Sequence, residues 1–352
     1  MNVHSRSAID VKAVNAIPRH GFSQARVLVI GDLMLDRYVF GDVTRISPEA
    51  PVPVVAVREE RTVAGGAANV AVNVSNLQAK VFAAGVIGRD ASGETLRTLL
   101  LEQGIDDTGI VQDISRPTTC KTRVMCNNHQ IVRMDSEVCD ELSPEVATQL
   151  YARIQGILAQ GVDSVLVSDY AKGVLSTEIT ERVIAACIAK GIPVLVDPKR
   201  SDYTPYSGAT CITPNLKEFK AALEAMSLPV GDIGASGALL RDRLSCTAVL
   251  VTQGAHGMTA ITGGHAHHFP ALAEEVFDVS GAGDTVIATV GTCLSGGLDF
   301  ISAVQIANVA ASLVVRRTGT VPVVWEELYS AISGYPEDVS QGFESPAARM
   351  IG

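Results

Sequence analysis

The sequence predicts an α/β fold, with a mostly parallel central sheet, helices on both faces and a small separate β-sheet. Three observations carry this. Short aliphatic and β-branched runs alternate with helix-length stretches from residue 26 to about 335. The short runs, such as Arg26–Gly31 (RVLVIG) and Ser164–Ser168 (SVLVS), are continuously apolar, the pattern of strands buried on both faces. Two other stretches, about 37–58 and 118–135, are β-rich but more polar and read as a second sheet.

The elements follow in order. Residues 1–25 are polar and mixed and read as a loose leader without the apolar core of a signal peptide. The strand Arg26–Gly31 is followed at once by Asp32 and Asp36, at the strand end where open α/β sheets bind ligands. Both acids also fit a solvated loop. Residues 51–57 (PVPVVAV) start with prolines, which suits an edge strand. Residues 64–69 (AGGAAN) lead into a helix reaching 77. There Gly65 and Gly66 would let a ligand lie against the backbone, with Asn69 as donor and acceptor, or would simply allow close helix packing. A strand at 81–86 and a helix at 93–103 continue the alternation, and Asn127-Asn128 marks a hairpin carrying Lys121 and Arg133 on its arms. Beyond Pro144 come strands at 164–168, 192–197, 211–213 and 248–252. Helices at 177–190, from 216 and near 238–244 separate them, and a hairpin spans 257–269. Helices at 284–294 and 302–315 precede a polar tail after 335.

Composition narrows the function. Hydrophobic residues make up 47% of the 352 and charged residues 19%, so a large core is available and disorder is excluded. A net charge of −10 argues against nucleic acid or an anionic membrane as the main partner. An anionic substrate must then meet a locally basic pocket. The seven cysteines include no CxxC pair and read as reduced thiols of a cytoplasmic protein. No apolar run is long enough to cross a bilayer.

The chemistry concentrates at 276–289 (VFDVSGAGDTVIAT), where Gly281, Ala282 and Gly283 precede a helical run opened by Asp284. Free N–H groups at a helix start attract a phosphate or a developing anion. A carboxylate there serves either as a base taking a proton from an attacking hydroxyl or as an ordinary N-cap. Asn215 and Glu218, three apart at a helix start, could hold water around a metal ion, although a capping box explains the same spacing. Thr252, Gly254 and Gly257 close a strand, and Lys172 follows another at the same sheet edge. His265 and His267 share a strand face but read as hairpin surface, and no Walker-type GxxxxGK[ST] loop is present.

Together and in this order, Gly65-Gly66-Ala67-Ala68-Asn69, Thr213-Pro214-Asn215-x-x-Glu218, Thr252-x-Gly254-x-x-Gly257 and Asp278-x-Ser280-Gly281-Ala282-Gly283-Asp284 resemble the ribokinase-like (PfkB) carbohydrate kinase family over roughly residues 26–330. The stretches 31–38 (GDLMLDRY), 45–54 (RISPEAPVPV) and 133–135 (RMD) are similar to its bacterial branch acting on D-glycero-β-D-manno-heptose 7-phosphate. That branch phosphorylates the anomeric C1 hydroxyl on the way to ADP-heptose and lipopolysaccharide core. The resemblance implies ATP and Mg²⁺, with Asp284 as general base and Gly281, Ala282 and Gly283 as anion hole. Asn215 and Glu218 would reach Mg²⁺ through water, and Lys217 would contact a phosphate. Thr252, Gly254 and Gly257 would border the nucleotide. Asp32, Asp36, Gly65, Gly66 and Asn69 would take the sugar, and Arg133 and Lys172 the substrate phosphate. The small sheet would be a lid joining two subunits into a homodimer.

Two features depart from the family pattern. Ser280 stands where Thr is usual, beside a monovalent-cation site, which leaves potassium activation open. Many heptose kinases continue into an adenylyltransferase with a His-x-Gly-His motif. Here 265–268 (HAHH) does not match, so a kinase alone is expected. The rival readings are a kinase for a fructose or tagatose phosphate, and a non-catalytic nucleotide or sugar sensor.

Overall fold

The computed structural model describes residues 17–126, 129–273, 275–317 and 319–333. The Asn127-Asn128 turn, residues 1–16 of the expected leader and the tail from 336 lie outside them. From the N-terminus, β1 (Arg26–Gly31) is followed by two long strands, β2 (Leu33–Ile46) and β3 (Pro53–Gly66). Then come α1 (Ala67–Asn76), β4 (Lys80–Gly88), α2 (Ala91–Glu102), β5 (Asp106–Asp113), β6 (Thr119–Cys126) and β7 (His129–Ser136). The middle of the chain forms α3 (Pro144–Ala159), β8 (Ser164–Ser168), α4 (Thr177–Lys190), β9 (Val194–Asp197), β10 (Cys211–Ile212), α5 (Leu216–Ala225) and α6 (Ile233–Leu244). It ends with β11 (Ala248–Thr252), β12 (Met258–Thr262), β13 (His265–Phe269), α7 (Ala282–Ser295), α8 (Phe300–Val314) and α9 (Trp325–Ser333).

Nine strands form the main sheet in the order β13-β12-β11-β10-β9-β8-β1-β4-β5. All pairings from β5 to β11 are parallel, and β12 and β13 add an antiparallel edge. Along β1, Val27 and Val29 join one core and Leu28 and Ile30 the other, which is why the strand reads as an unbroken apolar run. The first core lies under α1, α2, α7, α8 and α9, the second under α3, α4, α5 and α6. β1 is flanked by β4 and β8, so the chain builds outward on one side and returns to build on the other. The crevice at such a reversal, beyond the strands' carboxyl ends, is where this architecture takes ligands.

The second sheet has the order β3-β2-β6-β7, and its expected segments prove longer than the sequence suggested. β2 leaves β1 after the single residue Asp32, and β3 returns directly into α1. Register shifts at Phe40/Gly41 and Val43/Arg45 interrupt the long β2–β3 pair. Gly41 is needed there, because a Cβ would stand 2.5 Å from the Ala56 carbonyl oxygen.

Three elements escaped the sequence reading: β5, α3 and α9. β5 carries Asp106, Asp107 and Asp113 and lacks an apolar run, and α3 and α9 are amphipathic helices with polar outer faces. Residues 17–25, expected as part of a loose leader, are packed instead. Ile17, Phe22 and Ala25 are buried, and the Phe22 ring meets Trp325 edge-on at 5.4 Å. No helix among the described residues is long and apolar enough to cross a membrane.

Candidate active site

Asp284 sits in the first turn of α7, whose N-cap Gly281 has φ +78° and contributes no side-chain cap. A Cβ on Gly281 would lie 2.9 Å from Thr320 Cγ2 and 3.0 Å from Asn69 Nδ2, so both conformation and space require glycine. Asp284 is buried, and its two oxygens are held separately. Asn69 Nδ2 donates to Oδ2 at 2.7 Å, and the Tyr170 hydroxyl donates to Oδ1 at 2.7 Å. Burial lifts its carboxyl to about 6; the nearby Asp36 charge adds to this, while the Asn69 and Tyr170 hydrogen bonds pull it back. A carboxylate so tuned is ionised at neutral pH and still basic enough to accept a proton. Of the small residues before it, Ala282 already donates its N–H to Val279 O at 3.2 Å. Of the three residues expected to form an anion hole, Ala282 thus has its N–H engaged, while the first-turn N–H groups of Gly283 and Asp284 have no earlier carbonyl within the helix to pair with. Gly283 has open space where a side chain would be.

These residues line one wall of a cleft of about 160 Å³ at the carboxyl ends of the parallel strands. Asp169 and Tyr170 come from just beyond β8, Asp197 from the last position of β9, Asn215 and Glu218 from the start of α5, and Thr252 from the end of β11. Asn215 and Glu218 form a capping box: Asn215 Oδ1 accepts from the Lys217 and Glu218 N–H groups at 3.0 Å, and Glu218 Oε2 accepts from Asn215 N at 3.1 Å. The capping reading is thus correct, and both side chains face the cleft as well. Lys199, absent from the sequence reading, donates to Glu218 Oε1 at 2.8 Å. Asp197 is pushed well above the usual carboxylate range by burial and by the Asp284 and Glu218 charges. Lys217 is exposed and Gly254 and Gly257 lie in the turn after β11; none of the three lines this cleft. Gly257 answers a backbone need, since a Cβ would fall 2.0 Å from Phe269 O.

On the opposite side of Asp284 the second sheet begins. Asp32 is 1% exposed and accepts backbone N–H groups from Tyr170 (2.8 Å), Lys172 (3.1 Å) and Val174 (3.3 Å). Burial and the Asp169 charge raise it to about 6, against the pull of those three bonds. Asp32, expected to take the sugar, here uses its oxygens to fasten the loop that presents Tyr170. That loop includes Ala171 at φ +55° and Gly173 at φ +84°, a shape that needs such fastening. Asp36 remains at the site, with Oδ1 on Arg123 Nη1 at 2.6 Å. Gly65 faces it, because a Cβ there would meet Asp36 Oδ2 at 2.6 Å. Gly66, at φ +54°, is the N-cap of α1. Beneath Asn69, Asn73 ties the carbonyl of Asn69 to Thr285 and to the Val323 N–H.

The two cations expected at a substrate phosphate are both ion-paired. Lys172 Nζ donates to Glu137 Oε1 at 2.6 Å, and Arg133 lies on the outer strand β7 against Asp135 at 2.9 Å, its side chain half exposed. Arg123, Tyr170, Asp197 and Lys199 were missed because their partners lie far away in sequence. Only the position of Tyr170 and Asp197, at or just past a strand's carboxyl end, could have pointed to them.

Against known proteins, residues 24–327 match the model of the pfkB family carbohydrate kinases. Among curated relatives, the bifunctional protein HldE of Methylobacillus flagellatus is 43% identical over 96% of this chain and 70% of its own length. That of Geobacter sulfurreducens is 44% identical over 87% of this chain and 62% of its own, and that of Caulobacter sp. 45% over 92% and 65%. The chain thus spans about two thirds of these relatives. Arabidopsis thaliana ribokinase complexed with ribose and ATP superposes with a TM-score of 0.67 at 19% identity, covering 88% of this chain and 98% of that one. Escherichia coli phosphofructokinase-2 in complex with potassium gives 0.69 at 17% identity, covering 88% and 99%. Two sheets in the ribokinase arrangement, a buried carboxylate at a glycine-capped helix start and the match over nearly the whole chain agree: the chain belongs to the pfkB family of carbohydrate kinases, phosphotransferases that act on an alcohol group.

Proposed function

We propose that the chain transfers the γ-phosphoryl group of ATP to the anomeric C1 hydroxyl of D-glycero-β-D-manno-heptose 7-phosphate. The product is the 1,7-bisphosphate used for ADP-heptose and lipopolysaccharide core. The observation that carries the reaction is Asp284, buried, lifted to about 6 and held by Asn69 and Tyr170 at the open start of α7. The choice of sugar is supported by the GDLMLDRY, RISPEAPVPV and RMD wording and by 43–45% identity to the HldE relatives.

In this reading Asp284 accepts the C1 hydroxyl proton while that oxygen attacks phosphorus in line. The N–H groups of Gly283 and Asp284, with the positive end of α7, meet the charge on the transferring group. Tyr170 and Asn69 keep the carboxylate aimed. Asp36 accepts a sugar hydroxyl, and Gly65 leaves the room for it. Thr252 borders the nucleotide, with Gly254 and Gly257 shaping the turn behind it.

The cleft suits magnesium carried in with ATP, because it is lined by the carboxylates of Asp197, Glu218 and Asp284, spread around it, with Lys199 paired to Glu218. Among the described residues no three His, Cys, Asp or Glu side chains converge on a direct metal site. Glu218 and Asn215 would accordingly reach the ion through water, and the ion supplies charge neutralisation at the phosphate oxygens. The second sheet acts as a lid and as the contact between two subunits. The edge strand β7 exposes Ile131, Val132 and Met134, apolar surface that a second copy would cover, and Ile46 on β2 and Val57 on the opposite edge strand β3 are exposed as well.

The test is a substrate panel on purified protein with ATP. Heptose 7-phosphate should exceed free heptose, fructose 6-phosphate and tagatose 6-phosphate in kcat/KM. Preference for another sugar phosphate would remove the heptose assignment and leave the kinase.

A further inference from the structure

Beside the sugar side of the site, two ammonium groups share one carboxylate. Glu137, just past β7, accepts from Lys172 Nζ at 2.6 Å and from Lys121 Nζ at 2.8 Å. All three side chains are largely enclosed, at 15–20% exposure. Lys121 also lies 3.4 Å from Asp135, which Arg133 contacts at 2.9 Å. Three cations thus face two carboxylates, an excess positive charge on a protein whose total is −10.

The placement gives the cluster a direction. Lys121 is the register partner of Asp36 across β2 and β6, and Lys172 stands two residues beyond Tyr170, which holds Asp284. Arg123, two residues along β6 from Lys121, is ion-paired with Asp36 and acts on both Asp135 and Asp278, so it stands between the cluster and the glycine motif. Running from Asp284 past Asp36 leads to Lys121 and Lys172. This is the course a sugar would take from its reacting hydroxyl to a phosphate at its far end.

We propose that Glu137 is a built-in stand-in for the substrate's phosphate, which displaces its carboxylate from between Lys121 and Lys172 when the sugar phosphate binds. The exchange replaces a single negative charge by one of about −1.5 to −2, which balances the three cations, less the charge of Asp135, better than Glu137 does. It also accounts for an anion site on an acidic protein, since the two lysines stay spaced and paired until the ligand arrives. The proposal rests on the reading that the substrate is a phosphorylated sugar.

The test uses inorganic phosphate as probe, so it does not depend on which sugar is right. Calorimetry should find phosphate binding to Glu137→Gln tightened by about three- to tenfold over the wild type, and lost in Lys121→Met and Lys172→Met. Equal or weaker binding by Glu137→Gln overturns the proposal. A wild-type measurement guards against a folding defect. Cys139, the exposed cysteine among the seven, has its Sγ 3.7 Å from Lys172 Nζ. Saturating phosphate should slow its alkylation by a maleimide severalfold, and an unchanged rate also overturns the proposal. If phosphate behaves as stated but heptose 7-phosphate is not a substrate, the stand-in survives and the sugar assignment falls.

Discussion

Asp284 is a carboxylate that must be charged inside the protein, and burial resists that charge. Asp284→Asn removes the base while retaining an amide oxygen for hydrogen bonding, so turnover should fall by about 10²–10⁴ with ATP still bound. The wild-type rate should decline below about pH 6 as Asp284 takes a proton. The same shift acts on stability. The folded carboxyl is raised from 3.8, so the folded state binds the proton more tightly, and ionisation penalises folding above about pH 6. The penalty fades as the pH falls from 6 towards 3.8. Two pH units correspond to roughly 3 kcal/mol, so Asp284→Asn should melt higher than wild type at pH 7.5, with the difference closing near pH 4. A variant that is as active as wild type would remove Asp284 from the reaction and leave it only its bonds to Asn69 and Tyr170. Asp32→Ala removes the acceptor of three backbone N–H groups and should lower stability by about 3 kcal/mol, measured by urea unfolding. It should also depress kcat, because Tyr170 loses its mooring. In the sequence Asp284 was legible because its glycines adjoin it. The loop-fastening bonds of Asp32 were not legible, because its partners lie about 140 residues away, which spacing cannot reveal.

Among the elements, α7 and α5 both present their N-termini to the cleft, yet they are finished differently. α5 is closed by the Asn215–Glu218 box, whereas α7 begins at an uncapped glycine and leaves N–H groups for a ligand. Gly281→Ala must adopt φ near +78°, at about 1–2 kcal/mol, and it presses on Asn69. Turnover should drop at least tenfold while the far-ultraviolet circular dichroism stays native. Retained turnover would mean that Asn69 does not need its present position. Glu218→Gln keeps one oxygen for the cap but loses the charge facing Lys199, so the rate should need more Mg²⁺ to reach half its maximum at saturating sugar. An identical Mg²⁺ curve would confine the pair to capping. Strands and helices with strong periodicity were visible in the chain itself. β5 was not, since Asp106, Asp107 and Asp113 break its apolar run, whereas α3 (Leu150, Ile154, Ile157, Leu158) and α9 (Trp325, Leu328, Ile332) do carry helical apolar spacing.

At the scale of the whole molecule, the two sheets divide the labour. The large one is covered on both faces, and the small one leaves β7 exposed along its entire length. Met134→Lys together with Val132→Lys should weaken self-association in sedimentation velocity and leave the melting temperature within a few degrees. If the wild type sediments as a monomer, the subunit contact through this sheet is wrong. The division into a covered sheet and a more polar one was readable from composition along the chain. The path by which β2 and β3 join the sheets was not, because it depends on where Asp32 and Gly66 are tied. That path has a mechanical outcome. Both long strands are rooted at the site, one at Asp32 and the other at Gly65 and Gly66, and they carry Asp36 near their base. In the proposed function they would work as a lever whose fulcrum is the floor beneath the sugar: a small tilt at Asp36 would become a large sweep at Ile46 and Pro53, and a load on that tip would be felt by the residues beside Asp284.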